Sequence, residues 1–273
     1  MPELPEVETI ARGLHSSLER RRIERIEIYW PGSVHNEPEL FLQRVQGHVV
    51  ARVYRRAKLL LVDLEGGVRL AFHLKMTGRV VHEADRERQP HDRVRFELDD
   101  GSVLTFADMR KFGYVRAFVG DEIGAWEFWR KLGPEPLLVS AESLAEAVQS
   151  RSARIKALLL DQTVVAGVGN IYADESLFRA AIRPDCKACC IPYERLVELF
   201  NHVKDVLRQA IAENGSSIRD YVNADGDAGA FQNSFKVYGK KGESCVRCGC
   251  LLEAGKVAGR TSTFCPGCQK SDF

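Results

Sequence analysis

The spacing of apolar positions divides the chain into a short helix, a series of strands and then a series of helices. Apolar side chains recur at helical spacing near the start and predict a helix over residues 8–20. From about residue 23 to residue 119, apolar and polar positions alternate in short runs, separated by glycine-containing turns at 65–67 and 99–101. This pattern is typical of a β-sandwich or a barrel. The clearest strands are predicted over 22–28, 58–64 and 93–98.

A breaker cluster at 132–137, Leu-Gly-Pro-Glu-Pro-Leu, ends the strand-rich part of the chain. Glycine and small polar residues at 215–229 then predict a loop, and the last stretch of chain predicts two hairpins. We therefore predict an α+β protein in three parts, with boundaries at 1–131, 132–235 and 236–273. Helical periodicity in the second part predicts helices over 143–149, 155–161, 171–181 and 193–213.

Composition is that of a globular protein without a membrane span. Hydrophobic residues make up 45% and charged residues 28% of the chain. We see neither an apolar run of the roughly 18 residues that a span needs nor a signal peptide, so we expect a cytoplasmic protein with no membrane partner. The net charge is only +1, but basic residues cluster. Such clusters suit a polyanion if they share one groove, and are otherwise ordinary solvated faces. The clusters are Arg52, Arg55, Arg56 and Lys58, then Arg151, Arg154 and Lys156.

Four of the eight cysteines have the spacing of a metal site. Two Cys-x-x-Cys pairs stand sixteen residues apart, which fits one tetrahedral, four-thiolate structural zinc. Four protein ligands leave no open position for catalysis at the metal. The predicted ligands are Cys245, Cys248, Cys265 and Cys268. We interpret Cys186, Cys189 and Cys190 as free thiols, with a redox pair or a second metal site as the alternative, and leave Cys250 unassigned.

The N-terminal sequence, Met1-Pro2-Glu3-Leu4-Pro5-Glu6, allows two interpretations, one catalytic and one purely structural. Removal of Met1 would give Pro2 a free secondary amine, which can attack an electrophilic carbon and form an iminium adduct. The carboxyl group of Glu3 could then move protons for that amine. The alternative is that the two prolines only stiffen a terminus before a helix.

Four segments carry a further signal, namely 2–6 (Pro-Glu-Leu-Pro-Glu), 56–58 (Arg-Ala-Lys), 164–172 (Val-Val-Ala-Gly-Val-Gly-Asn-Ile-Tyr) and the cysteine-rich end with Arg260. Together, and in this order, they resemble the formamidopyrimidine-DNA glycosylase family. The third segment does not fit the Gly-x-Gly-x-x-Gly motif of dinucleotide-binding folds, because Tyr172 occupies the position of the third glycine. The resemblance implies an N-terminal helix on a β-sandwich, then a helix-two-turns-helix domain with a lesion-recognition loop, then a zinc finger.

The resemblance also implies roles for individual residues. Pro2 is the nucleophile, Glu3 the acid/base catalyst, Lys58 a strand lysine that contacts phosphate and assists proton transfer, and Arg260 a phosphate clamp with a role in elimination. Met76, Arg110 and Phe112 fill the space that the extruded nucleotide leaves. His73, His91 and Arg151 lie near DNA phosphates. Asn170 contacts the DNA backbone, and we also expect it to cap the helix that begins at Ile171. The loop with Ser216, Ser217, Arg219 and Tyr221 folds over the everted base.

The implied function is base excision with strand cleavage. We expect a bifunctional glycosylase and β,δ-lyase that removes oxidised purines such as 8-oxoguanine from damaged double-stranded DNA, as a monomer without an obligate protein partner, at the nucleoid when acting. One alternative is an endonuclease VIII-like enzyme for oxidised pyrimidines. Leu4 disfavours it, because that relative usually carries glycine at this position. The other is a zinc-ribbon protein that binds damaged DNA without cutting it.

Overall fold

The chain forms two compact units in a computed structural model that describes residues 1–217 and 228–271. The first unit comprises Met1–Arg130 and Glu213–Gln232, and the second comprises Lys131–Ala212 and Asn233–Phe273. The predicted parts differ from these units in two places. The stretch 213–232 belongs to the first unit, where the Ser216 backbone and hydroxyl bond to the Glu6 carboxylate. The cysteine-rich end lies within the second unit rather than apart from it.

The first unit is built around two antiparallel four-stranded sheets, which confirms the predicted sandwich. One sheet has the strand order β1-β6-β7-β5 and the other β2-β3-β4-β8. Phenylalanine side chains of both sheets meet edge-to-face in the core, as Phe72 does with Phe96 and Phe106. The strands are β1 (Ile23–Ile28), β2 (Val50–Arg56), β3 (Leu59–Leu64), β4 (Val68–His73), β5 (Gly78–Glu83), β6 (Asp92–Leu98), β7 (Val103–Asp108) and β8 (Tyr114–Val119).

The helices of this unit are α1 (Leu4–Leu18), α2 (Pro38–Val45), α3 (Glu122–Ala125) and α4 (Glu127–Lys131). Helix α1 begins earlier than the predicted residue 8, because Glu3 and Glu6 form a capping box at its first turn. It ends before Arg20, whose φ of 67° lies in the left-handed region. The buried apolar face of α1 packs against β2, β3 and β5, and each of its fully buried side chains contributes about 2 kcal/mol.

The second unit is mainly helical. Its elements are α5 (Ala141–Gln149), α6 (Ile155–Leu160), α7 (Asn170–Arg179), α8 (Tyr193–Ala212), β9 (Glu253–Val257) and β10 (Arg260–Phe264). All four helices lie where the periodicity predicts them, and α5 and α7 both pack against α8. One hairpin, β9–β10, and an isolated bridge between Ser244 and Leu251 stand in place of the two predicted hairpins. Among the described residues, no helix combines the length and apolar character that crossing a bilayer requires.

Candidate active site and DNA-binding residues

The N-terminus of α1 holds the two residues of the predicted catalytic pair in sequence. Glu3 is the N-cap residue and is 2% exposed, while Pro2 before it is half-buried. The Glu3 amide donates to Glu6 Oε2 at 2.8 Å, and the Glu3 carboxylate accepts from the backbone amide of Glu6. Both ends of Glu3 are therefore fixed by the first helical turn, which also fixes the direction in which the chain enters at Pro2.

Glu6 has a second set of partners in the same unit. Its Oε1 accepts hydrogen bonds from the Ser216 amide at 2.9 Å and the Ser216 hydroxyl at 3.1 Å. Ser217 in turn donates from its amide to Gln232 Oε1 at 2.8 Å. The segments on either side of 218–227 are thus tied down, whereas Arg219 and Tyr221, which sequence analysis assigns to lesion recognition, lie outside the described residues.

Lys58 lies in a tight turn and not in a strand, which corrects the sequence-based assignment. Arg56 of β2 pairs directly with Leu59 of β3, so that only Ala57 and Lys58 form the turn. Ala57 has a φ of 51°, the left-handed conformation that two-residue hairpins need. Helix α1 packs against both strands that this turn joins. Lys58 is only 8% exposed, so it is a buried turn residue of the same unit as Pro2 and Glu3.

His73 ends β4 and is a neutral histidine. It is 8% exposed, and burial lowers its pKa to about 3, with further lowering by the positive charges of Lys75 and Lys58. Its Nδ1 accepts a hydrogen bond from the Lys75 amide at 3.2 Å. A protonated ring could not accept that bond. Any contact that His73 makes with a phosphate near neutral pH is therefore a hydrogen bond from an uncharged ring and not an ion pair.

The predicted void-filling residues are held together by a residue that sequence analysis missed. The carboxylate of Asp108 accepts bonds from the Gly113 amide at 2.7 Å, from the Arg110 amide at 3.2 Å and from the hydroxyl of Thr77. Asp108 therefore closes the turn that carries Arg110 and Phe112, and it joins this turn to the segment after Met76. The Asp-x-x-x-x-Gly spacing was a possible signal, because an aspartate commonly caps the amides of a turn that follows it.

This turn exposes side chains that the resemblance assigns to filling the space of an extruded nucleotide. Phe112 is 54% exposed, and the guanidinium of Arg110 stacks over its ring at 4.7 Å. Met76 is half-buried, and His91 is exposed with its carbonyl bonded to the Asp108 amide at 2.9 Å. The structure thus brings His91, Arg110 and Phe112 to one edge of the sandwich, next to the segment of Met76.

In the second unit, the glycine-rich turn before α7 is organised by Gln162. Its amide group accepts from the Gly167 amide and donates to the Val168 carbonyl, both at 2.9 Å. Gly167 has a φ of 97°, which favours glycine. The N-cap of α7 is Gly169 and not Asn170, which corrects the expectation that Asn170 caps a helix beginning at Ile171. The Asn170 side chain instead donates to the Thr261 carbonyl at 3.0 Å.

That bond connects Asn170 to the hairpin that carries Arg260. Strands β9 and β10 are joined by Ala258 and Gly259, whose φ angles of 49° and 72° are those of a type I′ turn. Arg260 follows this turn and is exposed. The structure therefore brings Asn170 and Arg260 into one neighbourhood, with the guanidinium held on a short, stiff hairpin.

Lys156 is buried beneath the same hairpin. The sequence places it in a basic surface cluster, and the structure corrects that assignment. It is 0% exposed, and its Nζ lies 2.7 Å from Asp174 Oδ1, 2.7 Å from Ser262 Oγ and 3.0 Å from the Thr261 carbonyl. Burial raises the pKa of Asp174 to about 6, against the lowering effect of Lys156. Of this predicted cluster, Arg151 and Arg154 remain exposed.

The four predicted metal ligands converge. The sulfur atoms of Cys245, Cys248, Cys265 and Cys268 all lie within 4.8 Å of one another. Two of the sulfur pairs are separated by 3.8 and 3.4 Å. A tetrahedron with Zn–S bonds of about 2.3 Å has edges of about 3.8 Å, so the four thiols have the spacing that this ion requires. Four sulfur ligands with no carboxylate fit zinc better than a hard cation.

Comparison with known proteins agrees with these features. Residues 1–115 match the model of the formamidopyrimidine-DNA glycosylase N-terminal domain, and residues 132–222 match the H2TH domain model of the same enzymes. A formamidopyrimidine-DNA glycosylase of Desulfitobacterium hafniense is 45% identical, with 98% of this chain and all of the relative aligned. The glycosylase of Nitratidesulfovibrio vulgaris is 42% identical over 99% of this chain and 100% of its own length.

Solved structures of formamidopyrimidine-DNA glycosylases have the same fold as this chain. A Lactococcus lactis Fpg variant in complex with DNA containing Fapy-dG superposes with a TM-score of 0.92 at 36% identity, covering 98% of this chain and 100% of that one. A complex of Lactococcus lactis Fpg with DNA containing an abasic site has the same TM-score at 35% identity, with 98% and 99% covered. From its sequence motifs, its two units and these full-length similarities, the chain belongs to the formamidopyrimidine-DNA glycosylase family.

Proposed function

We propose that the protein removes oxidised purines from double-stranded DNA and then cleaves the strand at the resulting abasic site. Family membership and the DNA complexes of its relatives support the broader statement, that it is a DNA glycosylase of base excision repair. The observation that carries the finer proposal is the N-terminus of α1, where Pro2 directly precedes a buried Glu3 held by its capping box.

The proposed reaction uses Pro2 as an amine nucleophile once Met1 has been removed. The Pro2 nitrogen attacks C1′ of the damaged nucleotide, and the base leaves with the electron pair of the glycosidic bond. Ring opening gives an iminium, which makes the C2′ proton acidic. Loss of that proton expels the 3′ phosphate, and a second elimination expels the 5′ phosphate. Glu3 acts in proton transfer at the sugar and the departing base.

Lys58 and Arg260 serve this reaction through phosphates in the proposal. Lys58 is a buried amine on a rigid turn of the first unit, suited to a phosphate contact and to proton transfer. Arg260 has a planar guanidinium that can make paired, charge-assisted hydrogen bonds to one phosphate. Its position directly after a type I′ turn supports this role, since the hairpin limits the freedom of the side chain.

The remaining proposed contacts position DNA from which a nucleotide has been extruded. Met76, Arg110 and Phe112 replace the missing nucleotide in the stack, with the exposed Phe112 as the wedge. Sugar-phosphate contacts are proposed for a second group, in which His73 takes part as a neutral ring. The residues of that group are His73, His91, Arg151 and Asn170.

Zinc is the metal proposed for the four-cysteine cluster. Bound by Cys245, Cys248, Cys265 and Cys268, it would supply folding free energy to the hairpin and no step of the reaction, because four protein ligands leave no open position. We also propose that the protein acts as a cytoplasmic monomer, and that 1–131, 132–235 and 236–273 are its functional parts.

Oxidised pyrimidines are the second candidate substrate class. A solved Lactococcus lactis Fpg is in complex with DNA that contains an oxidized pyrimidine, and it is 36% identical to this chain with a TM-score of 0.91. Leu4, the residue that favours purines in sequence analysis, is completely buried in α1. Excision rates on duplexes with 8-oxoguanine and with thymine glycol decide between the two substrate classes. Faster release of thymine glycol would contradict the proposed preference for oxidised purines.

The nucleophile is tested by trapping the iminium. Sodium borohydride added during reaction with abasic DNA should give a covalent adduct, mapped by mass spectrometry to Pro2. The matched control carries a short extension before Pro2, which turns its nitrogen into an amide and should abolish the adduct while DNA binding remains. An adduct mapped to Lys58, or one of equal yield in the extended protein, would contradict the proposal. A protein that binds damaged DNA but yields no adduct after Met1 removal would be the non-catalytic alternative.

A further inference from the structure

A fifth cysteine lies against the four-cysteine cluster. Cys250 follows the metal ligand Cys248 after one glycine, and both cysteines are exposed. The sulfurs of Cys250 and Cys248 lie 2.9 and 3.2 Å from the position that a Cβ of Gly267 would take. Gly267 belongs to the second Cys-x-x-Cys pair. The two sulfurs thus lie next to the same glycine of the proposed zinc site.

Two further observations connect Cys250 to the ligand beside it. The Cys250 carbonyl accepts the Cys245 amide at 2.8 Å, which fixes the backbone of Cys250 against the first pair. Gly249 between them has a φ of 77°, and its amide donates to the Cys245 carbonyl at 2.9 Å, so that Cys248 and Cys250 flank a tight turn.

We propose that Cys248 and Cys250 form an oxidisable pair through which a hydroperoxide releases the zinc. This inference rests on the proposed zinc site and not on the proposed reaction of Pro2. The Cys248 thiolate attacks the terminal oxygen of the hydroperoxide and the O–O bond breaks, which gives a sulfenic acid and an alkoxide, or hydroxide in the case of hydrogen peroxide. The Cys250 thiol then attacks the sulfenic sulfur, so that a disulfide forms and the hydroxyl leaves as water after protonation. Two thiols lose two electrons, and the hydroperoxide is reduced to water and an alcohol, or to two waters.

The disulfide removes one of four zinc ligands. Three thiolates bind the ion less tightly, and a small ribbon without its own core depends on the metal for its fold. The hairpin with Arg260 lies between the two cysteine pairs in sequence, so loss of zinc loosens the segment that presents this arginine. Oxidation is reversible in this scheme, because a dithiol can reduce the Cys248–Cys250 disulfide and zinc can then bind again.

Zinc release under hydrogen peroxide tests the proposal directly. Metal content is measured first, and a chromogenic chelator then reports release over time from the wild-type protein and from Cys250→Ser. We expect release to be about tenfold slower in Cys250→Ser, because serine cannot resolve the sulfenic acid. After thiols are blocked, mass spectrometry of the oxidised wild type should show the Cys248–Cys250 disulfide, and a dithiol plus zinc should restore the metal.

A matched control comes from the other exposed pair of cysteines. Cys189 and Cys190 have sulfurs 4.0 Å apart, far along the chain from the metal ligands. The double variant Cys189→Ser/Cys190→Ser should release zinc at the wild-type rate. Equal rates in wild type and Cys250→Ser, or a disulfide between other cysteines, would overturn the proposal. Purified protein without zinc would overturn it as well, while borohydride trapping of that same protein still tests the nucleophile separately.

Discussion

Acid should destabilise the first unit through His73, and the size of the effect follows from its burial. The folded protein holds this ring neutral, with a pKa lowered to about 3 from the ordinary 6.5. An unfolded chain takes up the proton near pH 6.5, whereas the folded chain resists it. The stability that the neutral ring supports is therefore complete above pH 6.5, and it is lost as the pH falls from there toward 3. Near pH 5 the loss amounts to about 2 kcal/mol of unfolding free energy.

Tryptophan fluorescence is the appropriate assay, because Trp30, Trp126 and Trp129 all lie in the first unit. Urea unfolding is followed at pH 8 and at pH 5 for the wild type and for His73→Gln. The variant should lose about 2 kcal/mol less than the wild type between the two conditions. Comparing the two proteins cancels contributions from other groups, such as His35, whose pKa burial also lowers.

His48, which is only partly buried, supplies the matched control, and His48→Gln should keep the wild-type pH dependence. A His73→Gln protein that loses as much stability as the wild type would refute the assignment of a neutral, buried ring. The same reasoning bears on DNA. If His73 meets a phosphate as an uncharged donor, its replacement should leave the salt dependence of DNA affinity unchanged, because no counterion is released by a neutral group.

Three further predictions concern the second unit. Lys156→Met should lower the free energy of unfolding by about 3–5 kcal/mol, because it leaves the buried Asp174 without its cationic partner. The double variant Lys156→Met/Asp174→Leu should recover most of this loss in urea unfolding followed by circular dichroism, and a double variant as unstable as the single one would contradict the prediction. Gln162→Ala should lower the free energy of unfolding by about 1–3 kcal/mol and speed hydrogen exchange at the Gly167 amide, which loses its acceptor. Unchanged exchange would show that the glycine turn is stable without the Gln162 side chain. Cys265→Ser should lose zinc, measured by metal analysis, and lesion-DNA affinity should fall with it; unchanged affinity in the metal-free variant would contradict the role of Arg260.

Local patterns in the sequence predict most of the fold. The alternation in 93–98 becomes β6, and the helical periodicity of 193–213 becomes α8 with nearly the same ends. The four-cysteine cluster is predicted because metal binding by cysteines depends on spacing within two short pairs. Pro2 and Glu3 are singled out for a similar reason, since the proposed amine nucleophile must stand at the terminus itself.

The supporting contacts are absent from such patterns because they join residues far apart in sequence. Lys156 reads as one more cation in a basic run, and only the fold places it against Asp174 and β10. Asp108 reads as the end of a strand, yet it closes the turn of Arg110. Asn170 has the composition of a helix cap, but the nearby Thr261 carbonyl takes its side-chain amide instead. Long-range partners of this kind follow from packing and not from spacing.

Glu6 makes the N-terminus and the segment before residue 218 thermodynamically dependent on each other. One carboxylate, 2% exposed, accepts from the amide of Glu3 and from both donors of Ser216. A ligand whose binding moves Ser216 away from Glu6 must also change the free energy of the first turn of α1. The coupling is reciprocal, so a change in that turn alters the binding of the ligand by the same free energy. With the proposed roles of Pro2 and of the segment after Ser216, a change of lesion preference made in that segment will also alter the surroundings of the proposed nucleophile, so that catalytic rate and substrate choice are not independent properties.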